Sequence, residues 1–127
     1  MGKITIEIIK KHLETNEVVL SSTHHELSVP IINRIYQKMI NDIKFNNIQV
    51  FENLIIDGHH RYVSSLLANK SIGIVPTLKT AATKKYEWKD VGFVDVEWDT
   101  PEKIEKLNRD DAEFNNIPVV KIVEMTK

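Results

Sequence analysis

The chain has 127 residues, a formal net charge of −1 and no cysteine. This length predicts one domain, residues 1–127, with a core large enough to fold without cross-links. The missing cysteines exclude disulfides and thiolate metal sites, and the near-neutral charge argues against a protein that binds nucleic acid over its whole surface. Because no apolar run is long enough to span a bilayer and the start does not predict a secretory leader, we expect no membrane association. The expected location is cytoplasmic, or that of the exported domain of a larger protein.

The first part of the chain predicts a strand, a short helical turn and a long helix. Residues 4–8 alternate between apolar and polar side chains, which predicts a strand, and residues 10–16 are read as a helical turn. A polar loop is expected at residues 21–26. An apolar stripe then recurs every four residues at Ile31, Ile35, Met39 and Ile43, which is typical of an amphipathic helix. Ser28 can cap this helix, and Pro30 suits its first turn.

The middle of the chain predicts two strands, a tight turn and a second helix. The strands are expected at residues 48–51 and 54–56, and the helix runs from Gly58 to Ala68. Asn69 suits a left-handed helix end. Pro76 places the next strand, residues 72–78, near a sheet edge.

The last part predicts a basic loop at residues 79–90, a strand at 91–98 and a final strand at 117–123. Between these strands, Thr100 and Pro101 suit the start of a short helix. The acidic residues Asp110, Asp111 and Glu113 are expected in a solvated loop. Together, the elements predict an α+β fold with a small mixed β-sheet and helices packed on it.

The most informative run is Asp57-Gly58-His59-His60-Arg61, where an apolar strand turns directly into a helix. The first N–H groups of a helix lack partners within it and, with the helix dipole, attract anions. The three side chains after Gly58 add donors suited to phosphate. We therefore expect Gly58, His59, His60 and Arg61 to bind phosphate, and Asp57 to offer a carboxylate to a metal ion or a proton. One alternative is a polar turn with caps and one ion pair. Separately, Asp57 could simply cap the following helix.

Residues 55–68 resemble the phosphate-binding strand, turn and helix of the ParB/sulfiredoxin-like superfamily. The Asp-Gly-His-His-Arg form is closest to members similar to free-serine kinases and to ParB-like toxin or nuclease domains. The resemblance implies that Gly58, His59, His60 and Arg61 bind a nucleotide or backbone phosphate, and that Asp57 is a metal ligand or acid/base group. It extends more loosely over residues 4–79 and leaves residues 80–127 without an assigned role. Ser64 and Ser65 stand where family members often have alanine. The chain leaves no room for a DNA-reading helix-turn-helix, which argues against a role in chromosome partition.

The run His24-His25-Glu26 lies just before the long helix. The kinase-like members of the superfamily have a His-Glu pair there, with the glutamate facing the phosphate site. The resemblance therefore implies that Glu26 is a general base, which must lie within hydrogen-bond reach of the attacking group. A solvated surface run is the alternative, and a zinc site shared by the two histidine pairs is a further one.

Two other clusters suggest binding. In the basic loop, Lys84, Lys85 and Lys89 alternate with Tyr86 and Trp88, which suits base stacking and phosphate contact unless the aromatics pack inward. Three carboxylates, Asp95, Glu97 and Asp99, fall on one side of the expected strand. They would suit Mg²⁺ or simply an exposed strand face.

These observations favour an enzyme that acts on a phosphate-bearing substrate by nucleotide-dependent phosphoryl transfer or hydrolysis. Such chemistry depends on positioning and on neutralising charge. The expected catalytic residues are Glu26, Asp57, His59 and His60. The expected cofactors are Mg²⁺, with Asp57 as its ligand, and a nucleoside phosphate such as ATP, ADP or CTP. Two alternatives remain: a ParB-like nuclease or toxin with an inhibitor (immunity) protein as partner, and a non-catalytic nucleotide-binding switch.

Overall fold

Five α-helices and five short strands follow one another along residues 3–127, the part of the chain that the computed structural model describes. The fold is of the α+β type, as the sequence predicts. In chain order the elements are α1 (Ile6–Thr15), β1 (Glu26–Ser28), α2 (Val29–Ile40), β2 (Ile48–Phe51), β3 (Leu54–Asp57), α3 (His59–Ala68), β4 (Ile74–Pro76), a short 3-10 turn (Trp88–Asp90), β5 (Gly92–Val94), α4 (Pro101–Phe114) and α5 (Val119–Met125).

The strands form two small sheets, whereas the sequence predicts a single one. Strands β1 and β5 pair in parallel, with Leu27 opposite Phe93. The other sheet has the order β3-β2-β4, in which β2 is antiparallel to β3 and parallel to β4. Pro76 lies in the edge strand β4, as expected for a residue without a backbone N–H. The predicted strand at residues 91–98 is reduced to the three residues of β5.

The main core lies between α2, α3 and the β1–β5 pair. Leu27, Ile32 and Val63 are fully buried there, and Phe93 from the late part of the chain joins them. A second cluster, containing Ile48 and four other residues, lies between α3 and the three-stranded sheet. Since buried apolar area is the main stabilising term, the late strand β5 stabilises the body of the fold.

The predicted strand at residues 4–8 is wrong, because this segment enters helix α1. The side chain of Thr5 accepts a hydrogen bond from the Ile8 N–H (3.2 Å) and caps the helix start. Ile9 is fully buried, with Ile6 and Leu13 packed against the same cluster. The spacing of these three residues places them on one helix face, so the apolar stripe follows the helical period rather than the alternation seen at residues 4–8.

The predicted last strand is also wrong, because residues 119–125 form helix α5. Its only buried residue in the described chain is Ile122, which packs with Ile43 and Ala112. The predicted acidic loop instead lies within α4, whose residue Asp111 forms an ion pair with the buried Lys38 of α2 (2.7 Å). Contacts with α2 and with the segment just after it thus hold α4 and α5.

Helices α2 and α3 largely match their predictions. Ser28 caps α2 by accepting from the Ile31 N–H (3.4 Å), and Pro30 lies in its first turn. The helix ends at Ile40, earlier than its apolar stripe suggests. Helix α3 ends at Asn69, whose φ of 54° is left-handed. In the described residues, no helix has both the length and the apolar character that a membrane crossing requires.

Candidate functional site

Gly58 joins β3 to α3 in a conformation that favours glycine. Its φ is 99°, and a Cβ added there would lie 2.5 Å from Cγ2 of the buried Ile48. Both the positive φ and the close approach exclude a side chain without rearrangement. The glycine therefore lets helix α3 start directly against strand β2.

The first turn of α3 has unpaired backbone donors. The first intrahelical hydrogen bond runs from the Tyr62 N–H to the Gly58 carbonyl (2.9 Å), so the N–H groups of His59, His60 and Arg61 have no acceptor within the helix. Among residues 3–127, no side chain caps this end. The alternative in which Asp57 caps the helix is therefore wrong, and the turn keeps donors that an anion can accept.

The His59 imidazole is buried and holds the loop before β1. His59 is 2% exposed, and its Nε2 accepts a hydrogen bond from the Thr23 N–H (3.0 Å). Because Nε2 accepts, the ring proton lies on Nδ1, which is buried without a partner among the described residues. Burial, with smaller contributions from His24 and His60, lowers the pKa of His59 to about 3. The imidazole is therefore neutral near pH 7.

His60 acts in the same way on strand β1. Its Nε2 accepts from the Ser28 N–H (3.0 Å), and its ring meets Trp98 edge to face at 5.4 Å between centroids. Burial and then His24 lower the pKa of His60 to about 4, with Asp99 opposing the shift. The two imidazoles thus hold the start of α3 against Thr23 and against Ser28 of β1.

Arg61 lies beside the helix start but is already hydrogen-bonded. Its Nη1 donates to the carbonyls of Asn46 (3.0 Å) and Asn47 (3.2 Å), and its Nη2 donates to Oδ2 of Asp57 (3.2 Å). The Asp57 side chain is 66% exposed and that of Arg61 21% exposed. An ion pair this accessible is weak, so an incoming anion can compete with Asp57 for the guanidinium.

His24 is brought to the same place although the sequence does not single it out from its neighbours. Its ring stacks on that of His59, with 3.8 Å between centroids and 13° between planes. Burial lowers the pKa of His24, Asp57 opposes this, and His25 adds to it. Asp57 is therefore close enough to His24 for their charges to interact. The only signal in the sequence is the presence of a histidine pair on each segment.

The structure does not join Glu26 to this cluster by any direct contact. Glu26 is exposed at the start of β1, opposite Gly92 of β5. Among residues 3–127, its side chain forms no recorded hydrogen bond or ion pair with Asp57, His59 or Arg61. Neighbouring His25 lies near Tyr86 instead, 6.1 Å between ring centroids. The base role of Glu26 remains a prediction.

The described residues contain no group of three or more histidine, aspartate or glutamate side chains arranged to bind a metal ion. His24 and His59 stack face to face, an arrangement that does not aim their nitrogens at one ion. The carboxylates expected on one strand face, as possible Mg²⁺ ligands, instead form ion pairs, because Glu97 and Asp99 both pair with Arg34. Two of the three acidic side chains there thus bind an arginine.

The aromatic residues of the basic loop pack inward, as the alternative to nucleic-acid stacking predicts. Trp88 donates through Nε1 to the Leu20 carbonyl (2.8 Å) and stacks near Tyr62. Tyr86 is half-buried and forms a backbone bridge with Ser22. The lysines of the loop remain exposed, whereas the two aromatic residues between them are half-buried and pack against the core.

The site is thus an uncapped helix start with Arg61, Asp57 and His24 around it. Comparison of the chain with models of protein families, with curated proteins and with solved structures finds no match.

Proposed function

We propose that the chain binds a phosphate-bearing ligand at the first turn of α3. We further propose that it is an enzyme of the ParB/sulfiredoxin-like type, which catalyses nucleotide-dependent phosphoryl transfer or hydrolysis. The observation that carries the proposal is the uncapped start of α3 behind Gly58, with the N–H groups of His59, His60 and Arg61 unpaired within the helix. Such a helix start is a ready anion site.

The charges at the turn support an anionic ligand. His59 and His60 are neutral near pH 7, so Arg61 supplies the permanent positive charge. Its partner Asp57 is exposed, and a phosphate would replace it on the guanidinium in a stronger, two-pronged contact. The phosphate would then be paired with Arg61, and the Asp57 carboxylate would no longer be.

Asp57 fits the part of the Mg²⁺ ligand in this proposal. Mg²⁺ is often held by one or two carboxylates together with the phosphates of its nucleotide, so a dedicated cluster is not required. Bound there, Mg²⁺ would neutralise phosphate charge. The protein's own contribution is to hold the ligand against the helix start through Arg61 and the backbone, with Glu26 or Asp57 as the base that takes a proton from the attacking hydroxyl or water.

For His59 and His60 the geometry favours positioning over contact with the phosphate. Each uses its Nε2 to hold a backbone N–H, of Thr23 and Ser28 respectively. These contacts bring the segment with Glu26 next to the helix start. We therefore expect their substitution to impair binding through the position of that segment.

A panel of ATP, ADP, CTP and pyrophosphate, each with and without Mg²⁺, tests the proposal by thermal shift and calorimetry. A ligand that binds the folded state raises the melting temperature by mass action. We expect a shift in the wild type and its loss in Arg61→Ala. Arg109→Ala is the matched control, because Arg109 also pairs with a carboxylate four residues earlier, on an exposed face of α4. No shift with any ligand, or equal loss in both variants, would contradict the proposal.

Turnover is measured separately, as release of ADP or phosphate by the wild type and by Glu26→Gln. Loss of turnover with retained binding in Glu26→Gln would support the enzyme. Binding without turnover in the wild type would instead support a non-catalytic nucleotide-binding module. That second function is favoured by one observation, which is that both imidazoles are already occupied by backbone N–H groups. Degradation of an oligonucleotide would point to the ParB-like nuclease or toxin.

A further inference from the structure

The backbone at His24 is held rigidly by a buried serine. The Ser22 side chain is fully buried, and its Oγ accepts from the His24 N–H (2.9 Å) and donates to the His24 carbonyl (2.7 Å). The next residue, Thr23, donates through Oγ1 to the Ile55 carbonyl (2.6 Å) and through its N–H to His59. The two Ser22 contacts hold the backbone of His24, and the two Thr23 contacts hold the preceding residue against β3 and α3.

The His24 side chain packs on His59 but remains exposed to solvent. One face of its ring lies on His59, and neither ring nitrogen forms a recorded hydrogen bond within residues 3–127. The residue is exposed, so a ligand can reach the ring from solvent. Two titratable groups shift the pKa of His24, which are Asp57 at the end of β3 and the neighbouring His25. The charge of His24 in turn lowers the pKa of His59 and of His60 in α3.

A second feature of the same helix start points to a ligand. The Nδ1–H of His59 is a buried donor without a partner among the described residues. An unsatisfied buried donor is costly, and such groups are rare in folded proteins. It lies in the ring on which His24 stacks, at the first residue of α3.

We propose that His24 is the imidazole that contacts the bound phosphate group, and that it takes up a proton when the anion binds. This proposal rests on the function proposed above, because it needs an anion at the start of α3. It assigns to an exposed, unbonded histidine the direct contact that the sequence assigns to His59 and His60. The proton comes from solvent, and the resulting imidazolium donates a charge-assisted hydrogen bond to a phosphate oxygen.

The proton uptake makes affinity depend on pH in a defined direction. In the free protein the His24 ring is partly buried where it stacks on His59, and this partial burial lowers its pKa, so the ring is neutral near pH 7. A dianion beside the ring favours the charged form and raises that pKa. Affinity therefore rises as pH falls through the pKa of the complex, and it levels off below the pKa of the free protein.

Sulfate is the best probe, because it remains a dianion over the pH range in which histidine titrates. Its affinity is measured by calorimetry from about pH 5.5 to about pH 8, with pyrophosphate as the phosphate-bearing check. We expect His24→Ala to weaken sulfate about tenfold at low pH, the effect of one charge-assisted hydrogen bond, and to flatten the pH profile. His24→Gln should also flatten it. The control is His25→Ala, which removes the neighbouring exposed imidazole and should change affinity less than about twofold.

Carbon-proton correlation spectra of the histidine rings provide a second readout. Saturating sulfate should raise the pKa of His24 in the wild-type protein. If His24→Ala binds like the wild type, or if sulfate leaves the pKa of His24 unchanged, this proposal fails while anion binding stands. If neither sulfate nor pyrophosphate binds the wild type, both proposals fail. Loss of binding in Arg61→Ala with normal binding in His24→Ala also overturns this inference alone.

Discussion

Substitution of Gly58 by alanine tests how the helix start is built. The residue has a φ of 99°, and an added Cβ would lie 2.5 Å from Cγ2 and 2.9 Å from Cβ of Ile48. It would also lie 3.0 Å from Nη2 of Arg61, which belongs to a flexible side chain that can move. Ile48 cannot move in this way, because it is fully buried in β2. The new methyl group therefore meets both backbone strain and a crowded core.

The two costs have known sizes. A residue other than glycine held at a sparsely populated positive φ costs about 1–3 kcal/mol. Forcing an extra methyl group into a packed core costs about 1–3 kcal/mol more. We therefore expect Gly58→Ala to lower the free energy of unfolding by about 2–6 kcal/mol. This is a large fraction of the stability of a small domain.

Urea denaturation followed by circular dichroism measures the change. The control is Gly92→Ala, because a Cβ at Gly92 would meet the His25 carbonyl oxygen at 3.7 Å, an ordinary contact without a strained φ. That variant should change stability by less than about 1 kcal/mol. In the double variant Gly58→Ala/Ile48→Ala, the smaller side chain at position 48 should relieve part of the steric clash. The two substitutions should therefore show a coupling energy of about 1 kcal/mol or more. Equal stabilities of Gly58→Ala and Gly92→Ala would refute this reasoning.

Two further predictions concern buried ionisable groups. The pKa of His59 is about 3 in the folded protein, so the unfolded chain binds the proton more readily below about pH 6.5. The free energy of unfolding should therefore fall by about 2 kcal/mol through this residue between pH 7 and pH 5. Denaturation measured across pH should show that His59→Gln loses this dependence. Lys38→Met should cost about 2–3 kcal/mol, because it leaves the carboxylate of Asp111 half-buried and unpaired, whereas Lys106→Ala should cost less than about 0.5 kcal/mol, because its pair with Asp110 is exposed. Equal effects of the two lysine substitutions in urea denaturation would contradict the assigned burial of the Lys38 pair.

Local chemistry in the sequence is sufficient to predict the elements nearest the site. The serine cap and apolar stripe predict α2, and Gly58 and Asn69 mark the two ends of α3, as the structure confirms. Each of these features acts within a few residues, through a cap hydrogen bond or a backbone conformation that few residues adopt. The turn that carries the candidate site could therefore be found before the fold was known.

Short runs of isoleucine and valine, by contrast, mislead the prediction at both ends of the chain. Residues 4–8 and 117–123 suit a strand by composition, yet they lie in or beside helices α1 and α5. A short apolar run fits either structure, and packing against the rest of the chain decides between them. Burial of Ile9 and Ile122 on helical faces makes that choice here.

The sequence by itself determined where the turn lies and which chemical groups it carries. Only the tertiary structure decided which of those groups are free. His59 and His60 bind backbone N–H groups 36 and 32 residues away, and Arg61 binds a carbonyl 15 residues away. Hydrogen-bond partners so distant in sequence are brought together by the packing of α3 against the β1 segment and the sheet, and leave no periodic signal along the chain. The same packing leaves His24 unbonded beside the helix start.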